Sequence, residues 1–190
     1  MRTMRIEDLA TADADAQAQV AKLLVAGFAA HWPRAWPDHA AAVDEVRASL
    51  GAGRISRVAR EEHGTIVGWI GGMPEYDGNV WELHPLVVRL ERQGQGIGRA
   101  LVRDFERQVS ARGGLTIMLG TDDEDGMTSL AGVELYPNVW EPIARIQNLR
   151  RHPYEFYQKL GFVITGVVPD ANGRGKPDIL MAKAVHPPQP

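Results

Sequence analysis

The feature that most constrains this chain is a change of period around one glycine-rich segment. Val80 to Val88 is an apolar, strand-type run interrupted by Pro85. From Gln95 to Arg112 the period is helical: Ile97, Leu101, Phe105 and Val109 make one stripe, with Val102 beside it, and Arg99, Arg103 and Arg107 take another face. Between them stands Arg92-Gln93-Gly94-Gln95-Gly96-Ile97-Gly98. Glycines let a chain turn tightly and present successive N–H groups to an anion, and the first turn of a helix carries unsatisfied donors and partial positive charge. Arg92 and Gln93 would add side-chain donors. The spacing is not the six-residue dinucleotide pattern, since Gly98 follows Gly96 by two, and no Lys-Ser/Thr pair marks a Walker-type loop. On the segment alone two readings stay open, a phosphate cradle and a helix entry with no ligand.

Pro85 narrows them. A proline in an apolar strand cannot donate to the ladder and implies an edge or a bulge. Backbone groups freed around Leu86, Val87 and Val88 would suit an amide-bearing ligand, and one N–H there could polarise a carbonyl.

The rest of the chain frames this unit. Asp13 to Phe28 and Asp38 to Leu50 read as helices, separated by His31-Trp32-Pro33-Arg34-Ala35-Trp36-Pro37. Ile55 to Ala59 and Thr65 to Gly71 read as a hairpin through Glu62-His63-Gly64, followed by a loop through Pro74 and Gly78. Leu115 to Leu119 is strand-like, Ile143 to Leu149 and Tyr154 to Leu160 are helical, and Phe162 to Val168 and Asp178 to Val185 form a terminal hairpin. The expected fold is α+β, a mixed sheet flanked by helices. One domain is expected over residues 1–185, with 186–190 a flexible tail.

Composition excludes several classes. The 190 residues carry a net charge of −3 with pI near 6.1, which argues against general nucleic-acid binding. There is no cysteine, hence no disulfide, no thiolate ligand and no cysteine nucleophile. The six histidines include no His-Glu-x-x-His pattern, so no metal site is expected. Met1 to Leu9 has no apolar h-region, and no apolar run approaches the roughly 20 residues of a membrane span. A cytoplasmic protein with no membrane partner is expected.

The segment Arg92 to Gly98 resembles the Arg/Gln-x-x-Gly-x-Gly/Ala signature of the GNAT N-acetyltransferase superfamily. Within it the chain resembles dimeric aminoglycoside 6'-N-acetyltransferases. That likeness is carried by Trp81-Glu82-Leu83-His84-Pro85-Leu86-Val87-Val88, Leu119-Gly120-Thr121-Asp122-Asp123, Ile146-Gln147-Asn148-Leu149-Arg150, His152-Pro153-Tyr154-Glu155-Phe156-Tyr157 and Lys176-Pro177-Asp178-Ile179. Gly27 to Val46 departs from the pattern. The resemblance implies a mostly antiparallel GNAT-like sheet with a splayed, bulged central strand. It further implies acetyl-CoA as co-substrate, no metal, direct attack by an amine on the thioester, antibiotic resistance as the outcome, and a homodimer.

The resemblance also assigns roles. Arg92, Gln93, Gly94, Gln95, Gly96, Ile97 and Gly98 would bind the pyrophosphate, Leu86, Val87, Val88 and Asn148 the pantetheine arm, and Tyr157 would sit near the sulfur and donate a proton to it. For Asn148 a capping amide is the competing reading. Glu82 is the candidate base, with His84 two residues on along the same strand face as the alternative. The acceptor is addressed by charge. Gly120 to Glu134 holds five acids and no base, whereas His84 to Arg112 holds six arginines against three acids. An anionic cofactor needs the second and a polycationic acceptor the first. Asp122 and Asp123, with Trp81 and Glu82, are the candidate acceptor contacts; Trp32 and Trp36 either line the same cleft or pack between helices. The rival functions are acetylation of another polyamine or protein amine, and a non-catalytic acyl-CoA sensor.

Overall fold

The computed structural model describes residues 4–185; the expected loose tail and the first three residues lie outside that range. Among the described residues seven strands and five α-helices make the expected α+β fold. Cα packing divides the chain into two units, Met1–Ile117 with Val185–Pro190, and Met118–Ala184.

The first unit is an antiparallel sheet in the order β1-β2-β3-β4: Met4–Asp8, Ile55–Glu61, Ile66–Glu75 and Val80–Val88. Strand β1 was not expected, although Met4 and Ile6 alternate with Arg5 and Glu7 as a half-covered strand must. Two of its acids take part in ion pairs with β2. Glu7 and Asp13 pair with Arg60 at 2.5 and 2.6 Å, and Asp8 pairs with Arg57 at 2.5 Å. Strand β3 runs to Glu75, through the glycines and Pro74 that locally read as a loop. Pairing of Met73, Pro74 and Glu75 with Glu82, Trp81 and Val80 overrides that signal.

Helices α1 (Ala14–Phe28) and α2 (His39–Ser49) start where the acids predict. Asp13 accepts from Ala16 N and Asp38 from Ala41 N, both at 2.9 Å. Their apolar faces join a core containing Val20, Leu24, Val46, Val58, Trp69 and Val87. Trp36, from the segment between them, is 8% exposed and belongs to this core. Helix α3 (Ile97–Ala111) buries Ile97, Leu101, Phe105 and Val109, the stripe read from the sequence. It lies against β3 because that strand has no side chains in its path. A Cβ on Gly68 would stand 2.9 Å from Leu101 Cδ1, and one on Gly72 would stand 2.3 Å from the Phe105 ring. Asp104, 4% exposed on the same helix, accepts from Arg57 Nε at 2.7 Å and from Arg107 at 2.8 Å. Burial works against the Arg57 charge, yet Asp104 and Asp8 outweigh it and hold the pKa above its ordinary value.

The second unit orders its strands β5-β7-β6, being Thr116–Asp122, Asp178–Ala184 and Val163–Val168; β5 begins in the last residues of the first unit. Strands β6 and β7 are the expected terminal hairpin. The helix expected over Ile143 to Leu149 is displaced to α4, Trp140–Ala144. The reason is a competing pairing. Ser129 N donates to Gln147 O, Leu149 N and Arg150 N donate to Met127 O, and Thr128 bridges Asn148, which draws residues 147–150 out of helical geometry. Helix α5 (Tyr154–Gln158) buries Tyr154 and Tyr157, and Gly161 at φ 91° turns the chain into β6. Among the described residues no helix is long and apolar enough to cross a membrane.

The contact of Gly72 with Phe105 is tested by Gly72→Ala. A Cβ there meets the ring and also the Glu82 carbonyl at 2.7 Å, which is backbone and yields little. The variant is expected to lose about 1–3 kcal/mol of stability in urea melts, without loss of helical circular dichroism.

Candidate active site

Strand β4 carries the expected irregularity. Ile70 faces Leu86 and Gly72 faces Leu83, so β4 spends three steps where β3 spends two. The extra residue falls at His84-Pro85, a bulge where proline cannot serve the ladder. Opposite it, a Cβ on Gly71 would stand 2.6 Å from the His84 carbonyl oxygen, so the two backbones approach as only glycine permits. Trp81, Leu83, Pro85 and Val87 are buried. Glu82, Leu86 and Val88 are partly exposed and His84 is exposed, so the two candidate bases share the open face. The Trp36 ring lies 5.8 Å from that of His84, centroid to centroid. Trp81 points the other way. It is 3% exposed, donates to Gly78 O at 3.1 Å and is covered by Arg112 at 5.8 Å. That position makes it a core residue and accounts for its bulk without an acceptor.

Downstream of the bulge the glycine segment behaves as its sequence demands. Gly94 and Gly96 have φ of 72° and 84°, and a Cβ on either would meet nothing within 4 Å. Their glycine character therefore serves backbone conformation and not close packing, and the space above them is open. Gly96 is the N-cap of α3 with no side-chain cap, so the N–H groups of the first turn have no intrahelical acceptor. The side chains expected beside an anion brace the loop instead. Gln93 Nε2 donates to Val88 O at 3.2 Å and Gln95 Nε2 to Glu91 O at 3.2 Å. Arg92 pairs with Glu61 at 2.6 Å, while its Nε is buried with no hydrogen-bond partner. Open left-handed glycines, an uncapped helix start and a buried orphan donor fit an anionic group such as a pyrophosphate.

The remaining candidates belong to the second unit. Asp123 is fully buried, and its two oxygens accept from Met127 N and Thr128 N at 2.7 Å each. Its carboxylate closes the loop after β5 and is spent on doing so. Asp122 is partly exposed; its carbonyl meets His152 Nε2 at 3.0 Å and its Oδ1 accepts from Asn172 Nδ2. Asn148 clasps the His152 backbone, accepting from its N–H at 2.7 Å and donating to its carbonyl at 2.9 Å. This is the local amide role set against a pantetheine contact. Tyr157 is 8% exposed, edge-on to Phe156 and Phe162 with centroids 5.1 and 5.6 Å away, and burial pushes its phenol well above its ordinary range. His152 and Asn172 were not singled out from the sequence. Asn172-Gly173 reads only as a turn, and nothing local says that its amide reaches residue 122.

The description of the acetyltransferase (GNAT) family matches residues 18–131, more than half of the chain. The chain belongs to the GNAT acetyltransferase family. No curated protein sequence matches it. Among solved structures, an aminoglycoside 6'-N-acetyltransferase complexed with coenzyme A is 42% identical, with a TM-score of 0.89, covering 98% of this chain and 99% of that one. The aminoglycoside 6'-N-acetyltransferase of Enterococcus faecium is 40% identical over the same shares, with a TM-score of 0.85. An aminoglycoside 6'-acetyltransferase type Ii is 37% identical over the same shares, with a TM-score of 0.74. The matched residues include β4, the glycine segment and α3.

Asp123→Asn is the check on the buried carboxylate. It replaces one of two charge-assisted acceptors by an amide that cannot accept, and should lower stability by about 2–3 kcal/mol in chemical denaturation.

Proposed function

We propose that this protein is an aminoglycoside 6'-N-acetyltransferase, transferring acetyl from acetyl-CoA to a 6'-amine by direct attack and thereby conferring aminoglycoside resistance. The observation that carries the reading is the pairing of a bulged β4 bearing Glu82 with an open glycine cradle at the start of α3, in a chain about two-fifths identical to enzymes of that name over nearly its whole length.

The residues divide the work. Backbone N–H groups from Gly94 to Gly98 hold the pyrophosphate, with Arg92 Nε as a further donor, and Gln93 and Gln95 keep the loop in shape. Leu86, Val87 and Val88 present backbone groups to the pantetheine amides, and the Leu86 N–H polarises the thioester carbonyl. An ammonium cannot attack, so Glu82 takes its proton, directly or through water, and His84 is the second candidate for that role. The amine lone pair then forms the C–N bond as the C–S bond breaks, and the second proton on nitrogen leaves through water to the departing thiolate or to solvent. Tyr157 donates a hydrogen bond to the departing sulfur. A thiol titrates near about 8.5, below the raised phenol, so Tyr157 stabilises the thiolate while keeping its own proton. Asn148 supports the pantetheine side through the loop that it clasps. Asp122 is the ammonium contact; Asp123 and Trp81 leave the acceptor set because both are buried and engaged. A homodimer and a cytoplasmic place of action, beside the acetyl-CoA pool, complete the reading.

Thiol release by the purified protein should depend on acetyl-CoA together with an aminoglycoside bearing a 6'-amine, and should be absent with a 6'-hydroxyl analogue. Glu82→Gln should leave CoA affinity within about two-fold while kcat falls roughly 100-fold or more. Turnover of a peptide amine or simple polyamine but of no aminoglycoside would move the protein to another GNAT substrate class. CoA binding with no acceptor at all would make it a sensor. Light scattering at micromolar concentration should give the mass of two chains.

A further inference from the structure

The polar cluster behind Asp122 is more elaborate than a solvent-facing turn requires. From it we infer that Asn172 is a positioning residue for the acceptor, fixing the carboxylate of Asp122 in the orientation that meets an ammonium group. The inference rests on the reading of Asp122 as the acceptor contact.

Both ends of Asp122 are held. On the backbone side its carbonyl meets Nε2 of His152, a residue 1% exposed. The Tyr154 N–H donates to His152 Nδ1 at 3.2 Å, so Nδ1 is the acceptor and Nε2 carries the proton. His152 thus points a ring N–H at the carbonyl of residue 122. It cannot drift, because Asn148 clasps its N–H and its carbonyl. On the side-chain side Asn172 Nδ2 donates to Asp122 Oδ1, across fifty residues of sequence.

Asn172 is itself locked. Its N–H donates to Lys176 O at 3.0 Å, Asp170 Oδ1 accepts from Gly175 N at 2.6 Å, and Gly175 O accepts from Gly132 N at 2.9 Å. Asp170 holds φ 55° to complete the turn. This loop between β6 and β7 thus delivers one amide to one carboxylate oxygen. The choice of side chain has a consequence. A lysine at 172 would bring a positive charge to Asp122, whereas a neutral amide orients the carboxylate through a donated hydrogen bond without adding charge. The adjacent Asp123 keeps the following loop closed, so the backbone that carries Asp122 is fixed from both directions.

The test uses the full-length enzyme with one 6'-amino aminoglycoside. Asp122→Asn, Asn172→Ala, Asn172→Ser and the double variant Asp122→Asn/Asn172→Ala are compared for acceptor KM, acetyl-CoA KM, kcat and Tm. Asn172→Ala should raise acceptor KM about ten-fold, with acetyl-CoA KM within about two-fold and Tm nearly unchanged. Asn172→Ser, which keeps a donor, should recover part of that loss. The double variant should be no worse than Asp122→Asn alone, because both act through one carboxylate. Should Asp122→Asn raise acceptor KM while Asn172→Ala does not, the positioning role is overturned and the acceptor reading stands. Should Asp122→Asn itself leave acceptor KM unchanged, the acceptor reading of Asp122 fails and the inference fails with it. Equal losses in both KM values with a fallen Tm in Asn172→Ala and Asn172→Ser would reduce Asn172 to a loop brace.

Discussion

The extra residue in β4 is the constraint on which the candidate site depends. A regular strand would pair every group with β3 and continue its pleat unbroken. Pro85 cannot donate, and the register shift between Ile70–Leu86 and Gly72–Leu83 absorbs the surplus at His84-Pro85. The bulge switches the faces of the strand: Trp81 and Leu83 before it lie on the side of α3, Val87 after it joins the core of α1 and α2, and Glu82 and His84 are more exposed than any of these. The bulge also needs room behind it, and Gly71 supplies that room against the His84 carbonyl.

Glycine serves two opposite purposes in this unit. Gly68 and Gly72 are places where a side chain would collide with Leu101 and Phe105, so they let α3 settle on β3. Gly94 and Gly96 have nothing near them, and their left-handed backbone is what matters. The first pair sets where α3 lies, and the second opens its N-terminus to an anion. Helix α3 is further tied by buried Asp104, whose two oxygens meet Arg57 and Arg107. Removing Arg57 or Asp104 is costly, because the partner left behind stays buried, whereas Arg107 is largely exposed.

The acidic segment after β5 divides by depth. Of the two neighbouring aspartates, one is turned inward and consumed by backbone N–H groups, and the other stays partly exposed with its orientation set by an amide. Charge counting treats them alike. Only the direction of each side chain separates the one that closes the loop from the one that stays partly exposed.

Local pattern and physical chemistry suffice for much of this protein. The caps at Asp13 and Asp38, the stripe of α3, the bulge at Pro85 and the anion-ready glycines follow from residue type and spacing, because each is governed by neighbours within a few positions. Contacts between distant segments are different. Strand β1 exists because its backbone pairs with β2 some fifty residues away, where Glu7 and Asp8 also meet arginines, and residues 147–150 leave the helix because Met127 to Ser129 offer a better pairing. Arg92 turns to Glu61, Trp81 turns into the core, and Asn172 reaches Asp122 for the same reason. The sequence by itself determined the donor side, a phosphate cradle following a bulged strand, because backbone geometry is written locally. The placing of the neighbouring aspartates was decided by tertiary structure, since burial and long-range hydrogen bonds set how deep each carboxylate lies.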